Sequence, residues 1–172
     1  MFILGEAKGT SHFCSSARGC PRRSQGDRSR VVGMASGSYE LIDHTADVGI
    51  RVIAANPDAL FETAALALTE LMTDTALVEP RLERTVALKE ESLDLLLVGW
   101  LQEVLYLMDT EELVFSVFEV RIEGTTLQAT LWGEPFNPEV HPRKSDVKAV
   151  TYHHLEVTTH GDGWEARVIV DI

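Results

Sequence analysis

Two segments of the 172-residue chain repeat their apolar residues with the period of an α-helix, and a helix-capping residue precedes the first one. The first begins at Asn56-Pro57, where asparagine is a favoured N-cap and proline a favoured first helical residue. We expect it to end near Thr73, and we expect the second helix to begin near Ser92. Each helix presents an apolar face that has to be buried against another layer. The apolar positions are Leu60, Phe61, Ala64, Ala65, Leu68, Leu71 and Met72, then Leu93, Leu96, Leu97, Trp100, Leu101, Val104, Leu105 and Met108.

The other apolar runs are short and alternate with polar residues, as half-buried β-strands do. A predicted strand region at 39–53 is broken at 43–47. Further strands are predicted at 82–88, 115–123, 126–132, 147–152, 155–159 and 164–172. This order predicts an α+β fold, in which two helices pack on one face of a mostly antiparallel sheet. We expect residues 39–172 to form a single domain.

The charge of the chain changes sign near Met34. Residues 1–38 carry six basic and two acidic side chains, whereas residues 39–172 carry nine basic and 25 acidic ones, a formal net charge of −16. The first part has no hydrophobic period, so we predict a disordered basic tail, with Met34 as the natural translation start. Its serine- and arginine-rich composition would also fit a transit peptide or an arm that attracts RNA.

The acidity of residues 39–172 limits the classes of function. A strongly acidic domain repels phosphates, which argues against direct nucleic-acid binding. No apolar run approaches the ~20 residues that span a bilayer, so we expect no membrane association and a cytoplasmic location. Both cysteines, Cys14 and Cys20, fall in the predicted tail, which leaves the domain without a thiol nucleophile.

Carboxylates stand at both ends of the predicted domain. The segment Asp43-His44-Thr45-Ala46-Asp47 holds two carboxylates, an imidazole and a hydroxyl, although such residues also form ordinary turns. Near residue 170, an apolar strand runs into Asp171 and Ile172. If that strand lies beside Asp47, these oxygen-bearing groups converge, and an all-oxygen set favours Ca²⁺ or Mg²⁺. Otherwise the two aspartates are separate surface residues.

A small basic cluster interrupts the acidic domain. We interpret His141-Pro142-Arg143-Lys144 and the nearby Lys148 as an exposed island. His153-His154 follows. On an alternating strand, adjacent side chains point to opposite faces, so a shared zinc site is not expected. The sequence contains no Gly-rich phosphate loop, H-E-x-x-H helix or Ser-His-Asp arrangement.

Four segments, in this order, resemble the archease family. The most specific combination is His-Thr-Ala-Asp with Lys-Ala-Val-Thr-Tyr-His and a final Asp-Ile. The resemblance covers residues 39–172 and does not include the basic tail. The segments are Tyr39-Glu40-Leu41-Ile42-Asp43-His44-Thr45-Ala46-Asp47, Leu71-Met72-Thr73-Asp74, Val147-Lys148-Ala149-Val150-Thr151-Tyr152-His153 and Val170-Asp171-Ile172.

The resemblance implies a protein cofactor and not an enzyme. Archeases act on the RtcB-type RNA ligase, which joins a 3′-phosphate or 2′,3′-cyclic phosphate end to a 5′-hydroxyl end with GTP. They promote guanylylation of the ligase and its repeated turnover in tRNA splicing or RNA repair. The expected partner is therefore such a ligase, with no direct contact to nucleic acid.

The resemblance also implies a metal site. Carried over, its ligands are Asp47, Asp171 and Ile172, with Ca²⁺ as the expected cation and Mg²⁺ or Mn²⁺ as alternatives. Two other functions stay open: a metal-dependent phosphoester hydrolase with His44 as base, or a chaperone or adaptor for another RNA-modifying enzyme. Accessory or partner-facing candidates are Asp43, His44, His141, Lys148 and His153.

Overall fold

The computed structural model describes residues 32–33, 37–43 and 47–172, and from residue 37 onward it describes their side chains except that of Asp43. Most of the predicted tail lies outside the described residues, as does His44. Strand β1 (Val32–Gly33) lies upstream of the predicted domain boundary at Tyr39 and pairs with the strand that follows it.

Both helices begin where the sequence predicts. Helix α1 (Pro57–Met72) is capped by Asn56, whose side-chain oxygen accepts the Ala59 N–H at 2.9 Å. Helix α2 (Leu93–Thr110) is capped in the same way by Ser92. Each cap satisfies a main-chain donor that a helix start leaves free, which is worth about 1 kcal/mol.

Helix α1 is buried more completely than its sequence pattern suggests. From Ala59 to Glu70 every residue except Glu62 is buried, so the expectation of one apolar face is too narrow for this helix. The reason is that strands from two different sheets contact α1. Within the described ranges, no helix has the length and apolar character needed to cross a membrane.

The strands form two antiparallel sheets. The first contains, in spatial order, β1, β2 (Gly37–Asp43), β3 (Asp47–Ala54), β8 (Gly163–Asp171) and β7 (Ala149–His160). The second contains β4 (Leu82–Lys89), β6 (Thr126–Pro135) and β5 (Leu113–Glu123). The α+β class is confirmed, but the strands divide between two sheets instead of forming one. A single apolar core joins both sheets and both helices, so the described chain packs as one unit.

Strand β7 replaces the two strands predicted at 147–152 and 155–159. Its register against β8 shifts between Thr151 and Glu156, which marks a β-bulge. Within the bulge His154 has a φ of +51°, a left-handed conformation that few residues other than glycine adopt. The bulge therefore distorts the strand without ending it, and the two predicted strands are one.

Candidate metal site

Asp47 and Asp171 face each other across neighbouring strands, in direct register on β3 and β8. Alternation along both strands turns Val48 and Val170 into the core, so the two aspartates share the outer face of the first sheet. Directly opposed residues on antiparallel strands have Cβ atoms about 4.5–5.5 Å apart. The fold thus brings together two carboxylates that are 124 positions apart in the chain.

The paired carboxylates suit a hard divalent cation. Asp47 is exposed and Asp171 is half-buried. At a separation of about 5 Å, their charges repel by about 1 kcal/mol in water and about 3 kcal/mol at an effective dielectric constant of 20. A divalent cation would relieve this repulsion, and Ca²⁺ and Mg²⁺ prefer carboxylate, carbonyl and water oxygens. Among the described residues no group of three or more His, Cys, Asp or Glu could hold a metal ion, so from this part of the chain further ligands would be main-chain oxygens.

Ile172 and Lys148 border the aspartate pair. The Ile172 side chain is half-buried and packs against the core, which holds its main chain beside Asp171. Ile172 can offer a cation only main-chain oxygens. The Lys148 N–H donates to the main-chain oxygen of Asp171 at 2.9 Å, and the Lys148 side chain is exposed. We call the end of the sheet that holds Asp47, Asp171 and Ile172 the acidic corner, and the main chain of Lys148 borders it.

Asp43 lies at the same end of the sheet. It is the last residue of β2 and stands opposite Val48, the neighbour of Asp47 in β3. The Asp43 side chain and the whole of His44 are outside what the structure describes. Their accessory roles therefore stay predictions from the sequence.

His141 does not belong to an exposed basic island. Its side chain is 1% exposed, which corrects the expectation that it faces a partner. Nδ1 accepts the Asn137 N–H at 3.0 Å, so the neutral ring carries its proton on Nε2, which lies 3.3 Å from Oε1 of Glu134. The ring also packs against Phe136. The end of β6 and the loop after it supply these partners, and His141 is therefore a structural residue of that loop.

Lys144 forms an ion pair with Glu70 within the fold. Its Nζ lies 2.8 Å from Oε1 of Glu70, whose Oε2 accepts the Thr75 N–H and hydroxyl. Burial raises the pKa of Glu70, but these hydrogen bonds outweigh it and hold the pKa below its ordinary value. The Arg143 guanidinium lies 4.6 Å from the centre of the Phe136 ring. Arg143, Lys144 and Lys148 are all exposed, so of the predicted island only His141 is withdrawn from solvent.

His153 and His154 lie close together, which corrects the expectation that they point to opposite faces. Their ring centres are 4.0 Å apart, and both residues are exposed. The β7 bulge and the positive φ of His154 break the alternation on which the expectation relied. His153 therefore stays accessible, as a partner-facing residue must be.

The sequence pattern missed a charged group on the same outer face as the aspartates. The Glu165 carboxylate accepts two hydrogen bonds from Arg51, at 2.9 and 3.0 Å, and one from Arg167 at 2.8 Å. His160 Nδ1 lies 3.2 Å from Oε2. The hydrogen bonds from Arg51, helped by Arg167 and opposed by burial, lower the pKa of Glu165 to about 2. Alternation places Glu165 and Arg167 on one face, but their pairing with Arg51 depends on the β3–β8 register.

These features define a small α+β protein with an acidic corner suited to a cation. Residues 39–172 match the Archease protein family (MTH1598/TM1083), and the chain belongs to the archease family. It is 40% identical over 136 residues to Protein archease of Sulfurisphaera tokodaii, covering 78% of this chain and 98% of that protein. It is 41% identical over 139 residues to Protein archease of Methanosarcina mazei, covering 78% of this chain and 95% of that protein.

Solved structures of relatives share the fold. The solution structure of Protein 1598 from Methanobacterium thermoautotrophicum has a TM-score of 0.71 and 42% identity, and the match covers 78% of this chain and 98% of that one. A crystal structure from Thermotoga maritima, described as an archease and possible chaperone, has a TM-score of 0.52 and 21% identity, with coverage of 76% and 94%. At 21% identity, the second likeness concerns the fold alone.

Proposed function

We propose that this protein is a metal-binding, non-enzymatic cofactor that activates an RtcB-type RNA ligase by promoting its guanylylation and repeated turnover. The observation that carries the proposal is the register pairing of Asp47 with Asp171. Membership of the archease family supplies the class of protein. Asp47, Asp171 and a main-chain oxygen of Ile172 would hold a divalent cation, with Ca²⁺ first and Mg²⁺ or Mn²⁺ as alternatives.

The distribution of charge supports a protein partner. Residues 39–172 carry a formal net charge of −16, which disfavours direct binding to RNA. The same charge favours docking on a basic enzyme that itself binds RNA, because complementary potentials speed association and select partners. A bound cation would reduce the local negative charge at the corner where Lys148 is exposed.

Cation binding can be tested without the ligase. Calorimetric titration with Ca²⁺ is expected to show binding by the wild-type protein and none by Asp47→Asn or Asp171→Asn. Asp162→Asn is the matched control, because Asp162 is an exposed aspartate in the turn at the opposite end of β8. Asp47→Asn and Asp171→Asn, the two corner variants, each remove a metal ligand but also remove the repulsion between the two carboxylates. Without metal, each variant should therefore be at least as stable as the wild type.

Ligase activation is tested with a guanylylation time course. We expect wild-type protein and Asp162→Asn to accelerate guanylylation and both corner variants to fail. A wild-type protein that leaves the time course unchanged would refute activation. Full activation by Asp47→Asn would instead refute the shared metal site while leaving the partner intact.

A chaperone function is the second candidate, because the acidic charge that favours a basic protein partner does not identify which RNA-modifying enzyme that partner is. A chaperone for another RNA-modifying enzyme would increase the soluble, active fraction of that enzyme without changing guanylylation of the ligase. Measuring both quantities with the same protein preparation separates the two functions.

A further inference from the structure

The outer edge of strand β2 lacks a neighbour over more than half of its length. On one side, β2 pairs with β3 through all seven of its residues, Gly37–Asp43. On the other side, β1 covers only Ser38 and Tyr39. In the part of the chain that the structure describes, no strand lies against the remaining segment, Glu40 to Asp43. An unpaired edge presents main-chain N–H and C=O groups that can pair with another chain.

Two other sheet edges are closed by helix side chains. Strand β5 is an edge of the second sheet, and helix α1 lies along it. Glu62 of α1 accepts the Val120 N–H at 3.0 Å, and Asp58 accepts the Ile122 N–H at 2.9 Å. These carboxylates occupy the donors that a further strand would need.

Strand β7, an edge of the first sheet, is closed in the same way by helix α2. Asp94 accepts the Val157 N–H at 2.6 Å, and the Gln102 amide donates to the Val150 carbonyl at 3.4 Å. Among the described residues, no helix side chain hydrogen-bonds to the main chain of residues 40–43. The edge of β2 therefore differs from those of β5 and β7. Among the described residues, β4, the other edge of the second sheet, likewise receives no hydrogen bond from a helix side chain, but only β2 runs beside the strand that carries Asp47.

The side chains around the open edge define what it would bind. Ile42 is 40% exposed on the outer face of the sheet and packs over Gly49. Gly49 is the next residue after Asp47 on that face of β3, so Ile42 lies close to the Asp47–Asp171 pair. Glu40, on the same face, contributes another carboxylate. The edge thus combines main-chain hydrogen-bonding groups, an exposed apolar side chain and negative charge.

We infer that β2 binds an extended segment of its ligase partner that carries lysine or arginine side chains, and that this segment adds a strand to the first sheet. This inference rests on the proposed function, which supplies the partner. Main-chain hydrogen bonds along residues 40–43 provide affinity, as in other cases of strand addition. Ile42 provides an apolar contact, and the net charge of −16 on residues 39–172 selects basic side chains.

Hydrogen–deuterium exchange of the full chain, alone and with the purified RtcB-type ligase, tests the inference. We expect amides of residues 40–43 to exchange at least about tenfold more slowly in the complex, because strand addition protects edge amides. Amides of β5 around Val120 should not change, because Glu62 already closes that edge. A complex that leaves the exchange of residues 40–43 unchanged overturns the inference, whereas failure to form a complex refutes the proposed function itself.

A matched pair of variants provides a second test. Ile42 and Val117 are exposed to similar extents, 40% and 44%, on strands of different sheets. We expect Ile42→Lys to weaken ligase binding at least about tenfold, which corresponds to about 1.4 kcal/mol, and Val117→Lys to change it less than about twofold. Equal weakening by both variants overturns the inference.

Two controls distinguish a ligase strand from damage to the metal site and from pairing within the chain. If Ile42→Lys also abolishes Ca²⁺ binding, its effect belongs to the metal site and the inference fails. If deleting residues 1–31 accelerates exchange at residues 40–43 in the free protein, the chain's own N-terminal segment occupies the edge, and the inference also fails. Retained Ca²⁺ binding and unchanged exchange after the deletion support a ligase strand.

Discussion

Glu165→Gln measures how much the charged group on the outer face of the first sheet contributes to stability. Arg51 and Arg167 hold the pKa of Glu165 at about 2, against 4.5 for an ordinary glutamate. Because folding lowers this pKa, the stabilisation is fully present above pH 4.5 and is lost as the pH falls through about 2. The free energy of unfolding lost in Glu165→Gln should therefore depend on pH.

The expected magnitude follows from the shift in pKa. The pKa of Glu165 is about 2.5 lower in the folded chain than in an ordinary glutamate, which corresponds to about 3 kcal/mol of folding stability at neutral pH. The Arg167 side chain is 56% exposed, and solvent weakens that ion pair. We therefore expect Glu165→Gln to lower the free energy of unfolding by about 2 kcal/mol at pH 7. At pH 3 the wild-type protein has itself lost more than half of this contribution, so the difference should fall below about 1 kcal/mol.

Urea unfolding at pH 7 and pH 3 measures both values. Glu40→Gln is the control, because Glu40 lies 3.9 Å from the same Arg51 but is 36% exposed. An exposed pair of this kind contributes less than about 0.5 kcal/mol. The reasoning is refuted if the two variants lose equal stability at pH 7, or if the loss in Glu165→Gln is the same at both pH values.

Three further substitutions have definite expected outcomes in the same unfolding assay at pH 7. Burial raises the pKa of Glu62, although the hydrogen bond from the Val120 N–H opposes this, so the ionised carboxylate lowers stability at pH 7. Gln at this position can still accept that hydrogen bond. Glu62→Gln should therefore leave the free energy of unfolding unchanged or raise it by up to about 1 kcal/mol. Gly133→Ala should cost more than about 2 kcal/mol, because a Cβ there would meet the main chain of Val114. His141→Ala should cost about 2–4 kcal/mol, because it empties a buried site and strands its hydrogen-bond partners; a loss below about 0.5 kcal/mol would contradict the buried assignment.

The elements that local chemistry determines could be predicted from the sequence. Asn56 and Ser92 mark the helix starts because their side chains satisfy donors within the same turn. The strands follow from the alternation of apolar residues, which shows which face of a strand is buried. Alternation also placed Asp47 and Asp171 at the ends of predicted strands. The two aspartates could converge only if those strands were neighbours, and in the structure they are.

What the sequence could not show depends on contacts between distant segments. Alternation does not identify the neighbour of a strand, so the division into two sheets was missed. Burial of His141 depends on how a loop folds around it, and in the sequence it appears as one more basic residue. The approach of His153 to His154 requires a positive φ at His154, which no residue pattern indicated.

Strand β8 is the last strand of the described chain, yet it occupies an interior position in the first sheet, between β3 and β7. During synthesis, β3 and β7 therefore keep open edges until β8 has left the ribosome. Pairing Asp47 with Asp171 also closes a loop of 124 positions, and such distant pairings form slowly because closing the loop costs entropy first. A premature stop before β8 would remove the aspartate pair and the interior of the sheet together. Such a product would expose the unpaired edges of β3 and β7 at the same time, and open strand edges of this kind favour aggregation.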